Sequence, residues 1–113
     1  MARAIYQVRL VLKQELEDEF NAWYESQYMP SLMEAVPHFY SARRLVGELN
    51  GERVYITEYE TSTDDMAIAI AEMRTPERQA INAEFYAWKD RGISVHESVQ
   101  LEERLFIRQP NRS

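Results

Sequence analysis

The sequence predicts an α+β fold, with elements in the order strand, helix, strand, strand, helix, strand. Three observations carry that expectation. An alternating run of apolar and polar residues opens the chain. The dipeptide Asn50-Gly51 joins two further alternating runs, and the segments between strands repeat their apolar residues every three or four positions.

Residues Arg3 to Leu12 place Ala4, Tyr6, Val8, Leu10 and Leu12 on one face and Ile5, Gln7, Arg9 and Val11 on the other, a first strand. From Glu15 the period changes. Leu16, Phe20 and Trp23, then Met29, Leu32, Met33 and Val36, recur as one buried helical stripe. Pro30 lacks an amide hydrogen and clashes with the preceding turn, so the helix should kink or restart near Met29, and Pro37 should end it.

The runs His38 to Glu48 and Arg53 to Thr61 flank Asn50-Gly51, which tolerates the positive φ angles of a type I′ turn, so they form a hairpin. With Leu49 opposite Glu52, Arg43 faces Glu58, Leu45 faces Ile56 and Ser41 faces Glu60. On the other side Ala42 faces Tyr59 and Val46 faces Tyr55. Ser62-Thr63-Asp64-Asp65 offers a capping oxygen and early acids for a short helix through Met73 on Met66 and Ile70. Thr75-Pro76-Glu77 opens another, with Ile81, Phe85 and Trp88 as its stripe and Gly92 as its stop. The last run, Ser94 to Arg108, is expected to put Val95, Val99, Leu101 and Leu105 in the core. Its polar face is then His96, Ser98, Gln100, Glu102 and Arg104, with a bulge able to shift the parity.

A chain of 113 residues with 45% hydrophobic composition suits one domain, here 1–108 with a flexible tail at 109–113. There are no cysteines, which removes disulfides, thiolate zinc sites and a cysteine nucleophile. The alternating pattern begins at once, with no apolar leader, and no window approaches a membrane span, so a cytoplasmic protein is the default expectation. A net charge of -6 and a pI near 4.9 argue against a nucleic-acid partner. No histidine pair or carboxylate spacing suggests a metal, and the glycines Gly47, Gly51 and Gly92 form no phosphate loop.

The element order is that of a ferredoxin-like split βαβ unit, a four-stranded antiparallel sheet with helices on one face. Its open face would carry Ile5, Val11, Leu45, Val54 and Ile56 between charges, so pairing of two sheets in a homodimer is expected. Asn21-Ala22-Trp23-Tyr24, Met29-Pro30, Val36-Pro37-His38-Phe39, Ser41-Ala42-Arg43-Arg44 and Tyr55-Ile56-Thr57-Glu58-Tyr59-Glu60 together resemble the dimeric α+β barrel superfamily, most of all its EthD-type and related small members. The resemblance covers Ile5 to Phe106. It implies small aromatic or polyketide-like ligands held between sheet and helices. Relatives of this type commonly carry a histidine where this chain has Tyr28, and a glycine where it has His38.

In the split βαβ layout Tyr6, Tyr24, Tyr28, His38 and Tyr59 gather at one end of the domain, with Trp23 and Trp88 as walls. Tyr28 and His38 are the candidate catalytic pair; Tyr6, Trp23, Tyr24, Tyr59 and Trp88 are candidate substrate contacts. Histidine can move a proton near neutral pH, and a phenol in an apolar pocket can donate to a developing enolate. A cofactor-free isomerase, cyclase, lyase or decarboxylase acting on a ring-bearing substrate follows. A cofactor-free monooxygenase of polyphenols and a non-catalytic binding or stress-response protein are the alternatives. Tyrosines on strands also serve as plain core residues, and His38 as a turn residue. Arg9, Arg43 and Glu58 form an ionic set on the opposite face that suits pairing specificity better than catalysis. His96 is expected far from His38.

Overall fold

The computed structural model describes residues 3–62 and 65–110, and for 95–99 the backbone alone. Thr63 and Asp64 of the expected cap, the side chains of Val95, His96, Ser98 and Val99, and the end of the tail lie outside the described residues. β1 (Arg3–Val11), β2 (Ser41–Leu49), β3 (Glu52–Ser62) and β4 (Ser94–Glu102) form one sheet in the order β2-β3-β1-β4, antiparallel at every pairing. Helices α1 (Gln14–Trp23), α2 (Met29–Ala35), α3 (Met66–Glu72) and α4 (Gln79–Arg91) supply its cover. This is the ferredoxin-like α+β architecture.

The β2–β3 hairpin turns on Asn50 at φ 54° and Gly51 at φ 83°, the left-handed pair of a type I′ turn. The register is the one that turn predicts: Arg43 pairs with Glu58, Ala42 with Tyr59, Leu45 with Ile56 and Val46 with Tyr55. Ala4, Val8, Leu10, Tyr55, Thr57 and Tyr59 are buried under the helices. Between β1 and β4 the register shifts after Val8, so that Val8 pairs with Ser98 and Arg9 with His96. That extra residue reverses the parity of the rest of β4. Leu101 pairs with Ile5 and is 41% exposed on the open face, and Leu105, beyond the strand end at Glu102, is 75% exposed. Both were expected in the core. The bulge moves the first, and loss of pairing after Glu102 releases the second.

The first helical segment contains a feature that its composition did not announce. Between α1 and α2, Tyr24–Tyr28 form a π-helical turn, closed by the Met29 amide donating to the Tyr24 carbonyl. Pro30 cannot donate to the carbonyl four residues back, and widening the turn removes that demand. The geometry has a second effect. Phe20, Tyr24, Leu32 and Val36 are buried and Tyr28 packs against them, a uniform spacing of four. In an unbroken α-helix four such steps would drift about 160° around the axis. The wide turn absorbs the drift and keeps all five on one face. Val36, extended at φ -124° and ψ 80°, ends α2 before Pro37.

Candidate functional site

Two concavities lie on opposite faces of the sheet. The outer one, about 490 Å³, is a trough on the open face, lined by Val11, Leu45, Val54 and Ile56 with flanking polar residues of the hairpin. The inner one, about 340 Å³, lies between the sheet and the helices and is lined by Tyr6 and Val8 of β1, Tyr24 and Tyr28 of the π turn, Leu32, Tyr59 of β3, Met73, Arg74, and Asn82, Phe85, Tyr86 and Lys89 of α4. The inner one gathers polar groups from β1, the π turn, β3 and α4 onto an apolar wall between sheet and helices, the character of a small-molecule site.

Its aromatic wall is stacked. The Tyr24 and Tyr28 rings lie 5.1 Å apart at 21°, and Tyr28 stacks on Phe85, also at 5.1 Å. Tyr59 stacks on Phe39 at 4.8 Å, and Phe39 on Tyr6 at 6.4 Å. The hydroxyls differ in their partners. Tyr24 shares a hydrogen bond of 3.2 Å with Thr57 Oγ1. The Tyr59 hydroxyl is buried beside that of Tyr24, yet among the described residues it makes no well-formed hydrogen bond. Burial pushes the Tyr28 phenol up to about 12 and the phenols of Tyr24 and Tyr59 upward as well. At neutral pH all three are therefore protonated donors rather than bases.

The structure brings Tyr6, Tyr24, Tyr28 and Tyr59 around this one cavity. His38 is placed apart from its lining: it sits in the turn between α2 and β2, its Nδ1 2.8 Å from Glu72 Oε1. The bond to Glu72 raises its pKa. Trp23 and Trp88 stand one layer back. Trp88 meets Phe20 edge-on at 5.3 Å, and Trp23 packs on Tyr28 at 5.5 Å while its Nε1 donates to Glu84 Oε2 at 2.8 Å. They brace the wall without lining the cavity.

Sequence reasoning missed the α4 contribution. Arg78, Asn82, Phe85 and Lys89 fall at spacings of four, three and four, one helical face, which is the signal that points to them. Arg78 is only 2% exposed. It donates from Nη1 to Ser31 Oγ at 3.1 Å and from Nη2 to Asn82 Oδ1 at 3.3 Å, and its guanidinium lies 5.3 Å from the Tyr28 ring centre. Behind Tyr24 the Arg44 guanidinium is wedged 4.5 Å from the ring centres of both Tyr24 and Tyr55 and bonds Asn21 Oδ1 at 2.7 Å. On the open face Arg43 and Gln7 both bond Glu58, and among the described residues Arg9 reaches only Gln7, at 3.4 Å, so the expected ionic set is joined there through an amide. Among the described residues no group of three His, Asp or Glu side chains is placed to hold a metal ion, and no helix is long and apolar enough to cross a membrane.

A four-stranded antiparallel sheet, covered by helices on one face around an aromatic cavity, defines the chain as a ferredoxin-like α+β domain. Two solved structures share this fold. HapK from Hahella chejuensis is 17% identical with a TM-score of 0.62, and the match spans 100% of both chains. An ethyl tert-butyl ether D (EthD) family protein from Bacillus halodurans is 19% identical with a TM-score of 0.59, spanning 92% of this chain and 100% of its own. No family model and no curated protein matches the chain.

Proposed function

We propose that the chain binds a small ring-bearing molecule, aromatic or polyketide-like, in the inner cavity and acts on it without a cofactor, as an isomerase, cyclase, decarboxylase or other lyase. One observation carries this: the Tyr59 hydroxyl is buried on the wall of a cavity shared with Tyr6, Tyr24 and Tyr28, and among the described residues it makes no well-formed hydrogen bond. A buried donor without an acceptor costs free energy, and an oxygen of a bound ligand would remove that cost. Phenols that remain protonated can hold negative charge developing on a substrate oxygen as an enolate forms, the α-proton passing to a water molecule that enters the cavity. Stacked flat rings match a planar ligand. Binding without turnover is the alternative, favoured by the absence of any carboxylate or imidazole from the lining.

The experiment uses 2-tetralone, a ring-bearing ketone with enolisable protons. Its binding is followed by tryptophan fluorescence, and exchange of its α-protons in deuterated buffer by NMR. Binding with accelerated exchange, reduced by Tyr28→Phe or Tyr59→Phe, supports the enzyme. Binding without exchange supports the carrier or sensor, and no binding of this or similar bicyclic ketones reduces the cavity to packing.

Supporting a homodimer, the open face carries Ile5, Val11, Leu45, Val54, Ile56 and Leu101 around its trough, with Leu45 44% exposed in the single chain. A second copy set sheet against sheet would cover that surface. A cytoplasmic location accords with the same proposal.

A further inference from the structure

We infer that the inner cavity selects a ring-bearing carboxylate, anchored where Arg74 and Asn82 line it, with Arg78 behind Asn82 and Lys89 two turns along α4. This deepens the proposed function and rests on the same cavity.

The chain as a whole is acidic, with a net charge of -6, yet the lining includes the cations Arg74 and Lys89 and neither aspartate nor glutamate. Arg78 sharpens the contrast. It is almost fully buried, and among the described residues no carboxylate lies within ion-pair distance; its contacts are the neutral oxygens of Ser31 and Asn82, and its Nε has no partner. A buried guanidinium is ordinarily paired, because desolvating an unmatched charge is expensive. Arg44, whose side chain is 7% exposed, does meet a glutamate, Glu25 at 2.8 Å. At the cavity the missing negative charge is supplied by the ligand. Its carboxylate meets Arg74 and the second Nδ2 hydrogen of Asn82, whose other donates to the Met73 carbonyl at 3.3 Å. Lys89 adds positive charge from two turns along α4, Arg78 contributes its field through Asn82 and Tyr28, and the ring stacks on the Tyr28–Phe85 wall. The unpartnered Tyr59 hydroxyl is left for a second oxygen on the ring system.

Isothermal titration with 2-naphthoate and its neutral isostere 2-naphthamide tests the inference. The expected result is naphthoate binding at least about 10-fold tighter than the amide, with the ratio falling toward one in Arg74→Gln/Lys89→Gln. Arg78→Met could unfold the chain, so Asn82→Asp is the second variant. It gives Arg78 an internal carboxylate at the loss of the Asn82 Nδ2 bond to the Met73 carbonyl, and it should abolish the preference for naphthoate while circular dichroism shows the chain still folded. Equal binding of the two probes to the native protein overturns the carboxylate assignment and leaves the cavity proposal standing. Failure of naphthoate, naphthamide and 2-tetralone alike overturns both. A naphthoate preference that survives both the double variant and Asn82→Asp also overturns the assignment, since the anion is then held elsewhere.

Discussion

His38 Nδ1 lies 2.8 Å from Glu72 Oε1, a pairing that ties the turn before β2 to the end of α3 and turns the imidazole toward a carboxylate rather than the aromatic cavity. The hydrogen bond to Glu72 raises the histidine pKa above its ordinary value near 6.5. For a histidine with a raised pKa, the linked stability is fully present below the unfolded value and is lost as pH rises through the folded one. NMR titration should give a His38 midpoint above 6.5 that falls back in Glu72→Gln, and the stability gap between the two proteins should narrow as pH rises through that midpoint. An unmoved midpoint in the variant would break the assignment.

Tyr59 and Tyr24 should respond in opposite directions to loss of their hydroxyls. Tyr59→Phe removes a buried, unpartnered group and should raise stability by about 1 kcal/mol in urea unfolding, while weakening ligand binding. Tyr24→Phe breaks the bond to Thr57 and should cost about 1 kcal/mol. If Tyr59→Phe is the more destabilising of the two, its hydroxyl has a partner and no ligand need be invoked.

Arg44 acts as a wedge between the π turn and the sheet, 4.5 Å from the ring centres of Tyr24 and Tyr55 and bonded to Asn21 and Glu25. Arg44→Met should cost about 2 kcal/mol, because the stacking and two charge-assisted bonds go together. Arg44→Lys should recover little of it, since an ammonium cannot lie flat between two rings. Full recovery by lysine would show that charge alone matters there.

Light scattering on the eluting protein should report twice the 13.4 kDa chain mass. Leu45 and Ile56 are cross-strand partners on the open face, so Leu45→Asp/Ile56→Asp should give a folded single chain. A native protein that elutes at the mass of one chain would end the homodimer proposal.

Much of the fold was legible because its signals are local. Alternation in Arg3 to Leu12 and the Asn50-Gly51 turn determine which side of each central strand faces the helices, and a two-residue turn leaves one register for the hairpin. Pro30 marked a break near Met29, but that the break is a π turn from Tyr24 to Tyr28 was not legible there. The bulge in β4 was not legible in the same way: which residue is unpaired depends on β1 across the sheet, and one slip sent Leu101 to the opposite face.

The same division holds at the cavity. The sequence alone determined that four tyrosines would converge, because their strand parity and helical phase are properties of their own segments. Only the tertiary structure decided that His38 would pair with Glu72 instead of joining them, and that Arg78 would be buried with no carboxylate partner among the described residues. Those outcomes depend on how α3 and α4 settle against β-strands far away in sequence. Charge pairing and desolvation are fixed by distances between such elements, which no local pattern encodes.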